Sequence, residues 1–228
     1  MTLERRAQWL HESAQTGVKA LGVQVRLKGQ PPPGGLVVSN HLSYLDILIF
    51  SAVMPCFFVS KAEVRRWPYF GRAAEAGGTL FLNRERLASA NRVAELIAER
   101  LKLPVPVLLF PEGTSTDGRE VKRFHSRLIA PAIDAGAPIT AAAVRYFPKD
   151  GSEERELCWY GDAAFMPHLW KVLGMTGFTA ELSFGEPKVY ADRRVAASET
   201  HAAVEKMREE GEQVSNPASR LTSSELSD

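Results

Sequence analysis

The fifteen residues Leu36 to Phe50, LVVSNHLSYLDILIF, join two apolar runs through a polar break. The first run is short and β-prone. The second follows Ser43 and has Asp46 three residues beyond that serine, the spacing of a capping box at a helix start. The segment therefore reads as strand, turn and helix. Downstream the same alternation returns, with strands expected near Leu36 to Ser39, Cys56 to Ser60, Thr79 to Leu82, Val105 to Phe110, Ile139 to Tyr146 and Thr179 to Phe184. Helical periods begin near Ser43, Arg84 and Phe124, another covers Ala163 to Leu173, and a last one runs from Arg193 to about Gly211. Strands alternating with helices predict a single α/β domain, layered, with a mostly parallel central sheet flanked by helices.

Ahead of this pattern lies the turn-rich linker GQPPPGG, residues 29–35, and before that an N-terminal segment, residues 1–28. There Leu3, Ala7, Leu10, Ala14, Val18 and Leu21 recur at three- and four-residue steps, which predicts an amphipathic helix with Arg5, Arg6 and Lys19 off its stripe. Such a helix either packs on the domain or lies on a membrane surface. The main domain is expected over 36–211, and the polar, small-residue-rich stretch 212–228 reads as disordered.

With 45% hydrophobic and 24% charged residues the composition is that of a globular domain, large enough at 228 residues to close a core around a site. Lys plus Arg total 28 against 27 Asp plus Glu, so overall charge gives no reason to expect a nucleic-acid partner. The most apolar window, Ile47 to Val59, is interrupted by Pro55 and falls short of the roughly 20 residues a spanning helix needs. Neither a transmembrane helix nor a secretory signal is expected. Cys56 and Cys158 show no ligand spacing and read as reduced core thiols.

Loops leaving the carboxyl ends of strands in such a sheet usually hold the ligand. Three junctions qualify: NHLSYLD (40–46), LNRER (82–86) and PEGTS (111–115). On one continuous helix His41 and Asp46 would point about 140° apart, so pairing them requires His41 outside the helix, which the capping reading supplies. Asp46 can then cap the turn and also hold one imidazole nitrogen, leaving the other as a base. In the second junction Arg84 falls in the first turn of a helix, where a cation opposes the dipole and an anionic ligand would remove the discord. In the third, Glu112 follows Phe110 and Pro111 at a strand end. It reads as part of an ordinary turn, as an acceptor for substrate hydroxyls, or as an acid that orients a neighbouring cation.

Taken in order, the junctions resemble the blocks of the glycerolipid acyltransferase family. His41-x4-Asp46 is similar to its first block, Gly78 to Arg84 to its second, Phe110 to Thr114 to its third, and Ala137-Pro138-Ile139 to a degraded fourth. The resemblance implies a glycerol-3-phosphate acyltransferase-like fold. It also implies direct transfer of an acyl group from acyl-CoA or acyl carrier protein to a lysolipid hydroxyl, with no redox or metal cofactor. His41 would be the general base and Asp46 its orienting acid; Arg84, Glu112, Gly113 and Thr114, with Lys61, would bind the acceptor; Pro138 and Ile139 would line the acyl site. The first acceptor implied is 1-acylglycerol-3-phosphate. However, Ser115 stands where phosphate-specific members commonly carry arginine, and TSTDGREVKRF and CWYGDAAFMPHLW look more like the lyso-ornithine-lipid branch. Arg119, Lys122 and Arg123 are candidates to compensate. Location at the cytoplasmic face of the membrane is implied as well, which favours lipid contact for the helix Leu3 to Leu21, with Arg5 and Arg6 facing anionic head groups.

Three rivals compete with this reading. A serine hydrolase would use Ser115, which lacks the GxSxG elbow. A lipid-binding module would need no general base. A metal hydrolase finds no ligand spacing among His11, His125, His168 and His201.

Overall fold

The computed structural model describes residues 1–66, 70–82 and 87–215. Seven strands form one sheet in the order β1-β7-β6-β2-β5-β3-β4: β1 (Gln24–Lys28), β2 (Leu36–Ser39), β3 (Phe57–Lys61), β4 (Leu80–Leu82), β5 (Val107–Leu109), β6 (Ile139–Pro148) and β7 (Phe178–Phe184). Strands β6, β2, β5, β3 and β4 run parallel; β7 is antiparallel to β6 and parallel to the edge strand β1. The helices are α1 (Leu3–Ala20), α2 (Leu45–Val53), α3 (Phe70–Ala76), α4 (Leu87–Leu101), α5 (Ser126–Asp134), α6 (Phe165–Leu173) and α7 (Arg193–Ser215). Among the described residues no helix is long and apolar enough to cross a membrane.

The mostly parallel α/β layering expected from the sequence is present. Both faces of the central strands are covered, so they read as continuous apolar runs. Val37 and Leu108 face one core with Ile49 and Phe178, while Leu36, Val38, Val107 and Leu109 face the other with Ile97, Ile129 and Val204. Two elements lay outside the expectation. Strand β1, QVRLK, carries charges on an exposed edge and so lacks an apolar run, and α3 is one short helix of seven residues. Because β1 pairs with β7, the linker 29–35 joins two strands of one sheet rather than a lead-in and a domain.

Helix α1 corrects the expectation of lipid contact through its apolar stripe. That stripe packs inward: Ala7, Ala14 and Val18 are buried, and Leu10 and Leu21 lie against the core. Gly17 permits the close approach to α2, since a Cβ there would stand 3.1 Å from Leu48 Cδ1. Arg6 does not face outward either; its guanidinium donates to the carbonyls of Ala76, at 2.7 Å, and Glu75. The tail beyond residue 215 lies outside the described residues.

Candidate active site

Parallel β2, β5 and β3 end at one edge of the sheet, and the loop after β2 crosses it. Asn40 starts that loop by imitating backbone: its side chain donates to the Val144 carbonyl at 3.1 Å and accepts from the Val144 N–H at 2.9 Å. The N–H and carbonyl groups of residues 41–43 then all find partners. His41 N–H donates to Glu112 Oε1 at 2.7 Å, and the N–H groups of Leu42 and Ser43 donate to Asp46 Oδ2 at 2.8 and 3.1 Å. The carbonyls of His41, Leu42 and Ser43 accept from the N–H groups of Thr116, Trp159 and Asp46 at 2.9, 2.8 and 3.1 Å. A buried irregular segment is stable only when these groups find partners.

Here the capping box is half present. Asp46 reaches back to the Ser43 N–H, but the Ser43 hydroxyl is buried without a hydrogen-bond partner, and the residue flanking the helix is Tyr44. The reason is the tight turn, in which residues 42 and 43 both point their N–H groups at the one carboxylate.

His41 Nδ1 lies 2.7 Å from the same Asp46 Oδ2. The second oxygen, Oδ1, accepts from the Tyr146 hydroxyl. Four donors converging on fully buried Asp46 suit a carboxylate, so Nδ1 carries the hydrogen and Nε2 the lone pair. The imidazole is stacked on Phe110, centroids 4.1 Å apart and planes at 14°, which fixes its tilt. Burial, then the Asp46 charge, pushes the Tyr146 phenol well up, keeping it a donor.

His41 lines a cavity of about 190 Å³ over the carboxyl ends of β2, β3 and β5. Its walls are mostly apolar, with Tyr44, Phe58, Phe110, Leu128 and Trp159, and its polar rim includes Ser60, Thr114 and Ser115. Since the ring lines this space with Nδ1 taken, Nε2 is the nitrogen left for a substrate.

The remaining expected site residues divide. Gly113, at φ 75°, and Thr114 line the cavity with His41. Glu112 does not: only 4% exposed, it accepts the N–H groups of His41 and of Lys122, the latter at 2.9 Å, and so clamps two loops together. Burial outweighs these two bonds and pushes its carboxyl up to about 7. Pro138 and Ile139 stand at the other end of the sheet. Leu36 pairs with Ile139 at the amino ends of parallel β2 and β6, three strand positions before Ser39, and neither residue lines the cavity. Lys61 ends β3, at the same edge as His41. Arg84 lies outside the described residues.

Ser115 donates its hydroxyl to the Trp159 carbonyl, which leaves it no bond toward His41 as a serine hydrolase would require. Of the cations expected to compensate for it, Arg119 lies 3.5 Å from Asp117 and largely in solvent, and neither Lys122 nor Arg123 lines the cavity. Both cysteines are buried and unpaired in a disulfide, their thiols pushed up chiefly by burial. Sequence reasoning missed Tyr146, Trp159 and the stacking of Phe110. Only the position of Phe110 one residue beyond β5 carried a signal.

A family model described as acyltransferase matches residues 23–145. A lyso-ornithine lipid O-acyltransferase of Pseudomonas aeruginosa is 38% identical over 155 residues, 68% of this chain and 59% of that one. Another, from Rhodobacter capsulatus, is 36% identical over 197 residues, 82% of this chain and 71% of that one. A 1-acyl-sn-glycerol-3-phosphate acyltransferase of Neisseria gonorrhoeae is 33% identical over 165 residues, covering 72% and 64%. The chain thus spans about three-fifths of the length of the Pseudomonas and Neisseria relatives. Among solved structures, the 1-acyl-sn-glycerophosphate acyltransferase PlsC of Thermotoga maritima superposes with a TM-score of 0.69 at 17% identity, covering 91% of this chain and 80% of that one, a likeness of fold.

Proposed function

The chain belongs to the acyltransferase family, and from that premise we propose that it transfers a fatty acyl group from an acyl thioester to the hydroxyl of a lysolipid, with His41 as general base. The observation that carries this reading is the His41–Asp46 pair, at 2.7 Å, on the wall of the cavity. Nε2 takes the proton of the acceptor hydroxyl as its oxygen attacks the thioester carbonyl. Asp46 stabilises the imidazolium that forms. When the tetrahedral intermediate collapses, the C–S bond breaks and the imidazolium returns its proton to the leaving thiolate, giving ester and thiol. No acyl-enzyme is formed. The donor is acyl-CoA or acyl carrier protein, and the work is done at the cytoplasmic face of the membrane, where the lysolipid resides.

Between the two acceptors named among the relatives, one observation favours the ornithine lipid. A phosphate monoester needs more positive charge around it than the zwitterionic ornithine head group, whose ammonium offsets its carboxylate. Ser115 stands where phosphate-specific members of the family commonly carry arginine, and its hydroxyl is committed to the Trp159 carbonyl. Labelled acyl thioester is supplied with lyso-ornithine lipid or with lysophosphatidic acid, using wild type and His41→Ala. Turnover should favour the ornithine lipid and vanish in the variant. Full activity of His41→Ala would refute the base; preference for lysophosphatidic acid would overturn the acceptor.

A further inference from the structure

Helix α6 is apolar on both sides. Its inner side packs beside the cavity: Phe165 stands edge-on to Tyr44 and Trp159, the Tyr44 hydroxyl meets His168 Nδ1 at 3.1 Å, and Val172 is buried. On its outer side Met166, Trp170 and Leu173, at positions i, i+4 and i+7, are 48%, 66% and 49% exposed. Tyr160, 40% exposed, adds to the apolar surface from the turn ahead of the helix and also lines the cavity. Helices apolar all round are normally enclosed, yet nothing among the described residues encloses this one.

We propose that the outer face of α6, with Tyr160, is the surface on which the protein rests on a lipid bilayer. The proposal rests on the acyl-transfer reading above. Three observations select lipid as the occupant. The segment that leads into α6, Trp159 to Gly161, is itself cavity wall, so chains leaving the cavity have an apolar surface next to its mouth. Trp, Tyr, Met and Leu together suit the boundary between head groups and chains. Finally, α1, the amphipathic helix first expected to meet lipid, has its stripe against the core. Lys171, the one charged side chain on α6, is paired with Glu156, so contact should depend on apolar insertion and little on anionic lipid.

The test uses the full chain and flotation with vesicles of phosphatidylcholine, with or without phosphatidylglycerol. Wild type should float on both, and at high salt. The triple variant Met166→Ser, Trp170→Ser, Leu173→Ser should lose more than about tenfold in vesicle binding. Its turnover of vesicle-borne lysolipid should fall in parallel, while turnover of a short-chain lysolipid below its critical micelle concentration stays unchanged. Trp170→Ser alone, at the most exposed position, gives the same pattern at smaller amplitude if the triple variant fails to fold. Flotation of the variants equal to wild type overturns the proposal. So does binding that needs phosphatidylglycerol and disappears in salt, or a wild-type dimer that Trp170→Ser converts to monomer. Loss of flotation in the variants, with no acyl transfer by wild type to any lysolipid, upholds the surface while refuting the reaction.

Discussion

Deleting one oxygen atom from Tyr146 would test how the His41–Asp46 pair is held. The ring is 1% exposed and packs edge-on to Phe178, centroids 5.4 Å apart, so phenylalanine fills the same space. What is lost is the bond from the phenol to Asp46 Oδ1, which leaves that oxygen buried without a partner. A hydrogen bond to a charged group contributes about 1.5–3 kcal/mol, and Tyr146→Phe should lower unfolding stability by that amount in urea. The carboxylate, less firmly held, would orient the imidazole less well as it takes the acceptor's proton. If about 1.4 kcal/mol of the loss is felt in the transition state, kcat falls about tenfold. KM for the acceptor should not change, because Tyr146 does not line the cavity. A stability loss under about 0.5 kcal/mol together with an unchanged kcat would refute the reasoning.

Two further outcomes follow from buried charge. The Glu112 carboxyl, ordinarily at 4.5, is raised by burial to about 7, so the stability it contributes is complete below 4.5 and is lost as pH rises through about 7. Urea midpoints of wild type should therefore fall across that window relative to Glu112→Gln, which does not titrate, and parallel profiles would count against the effect of burial on this carboxyl. Arg208 on α7 donates to the carbonyls of Val144 and Gly118, each at 2.6 Å, and to Glu154 at 2.8 Å, while Glu154 also accepts the Tyr146 N–H. Arg208→Leu leaves that acid unpaired and should cost about 3–5 kcal/mol by chemical denaturation, partly restored by adding Glu154→Gln; a loss below about 1 kcal/mol would show the pair to be dispensable.

The signals that proved legible were local. LVVS before NHLSYLD encodes a strand, a turn and a helix within fifteen residues, and the turn alone brings His41 to Asp46. Chain order placed the junctions, but not the end of the sheet at which each block sits. Pro138 and Ile139 follow the other blocks in sequence, yet parallel pairing of Leu36 with Ile139 sets them at the amino edge. The stripe of α1 was readable as amphipathic, while the identity of its cover was not, because a protein core and a bilayer demand the same spacing. Strand β1 escaped because an edge strand beside β7 needs little apolar surface. Tyr146 read as one more apolar residue of a strand, since its partner lies 100 positions earlier.

Whether Asp46 belongs to the helix start or to the chemistry has no single answer at the level of atoms. The oxygen that receives the Leu42 and Ser43 N–H groups also receives His41 Nδ1, so the bonds that shape the turn and those that orient the base share one acceptor. Replacing Asp46 would disturb both at once, and loss of activity there could not separate a collapsed loop from a misdirected base. Glu112 and Tyr146 approach from outside the shared oxygen. Glu112 holds the His41 backbone without touching the ring, and Tyr146 touches the other carboxylate oxygen without touching the loop. A change at Glu112 should therefore act on the position of the base, and a change at Tyr146 on the acid that orients it. Chemistry and scaffold can be told apart at these two positions, neither of which is the base or its acid.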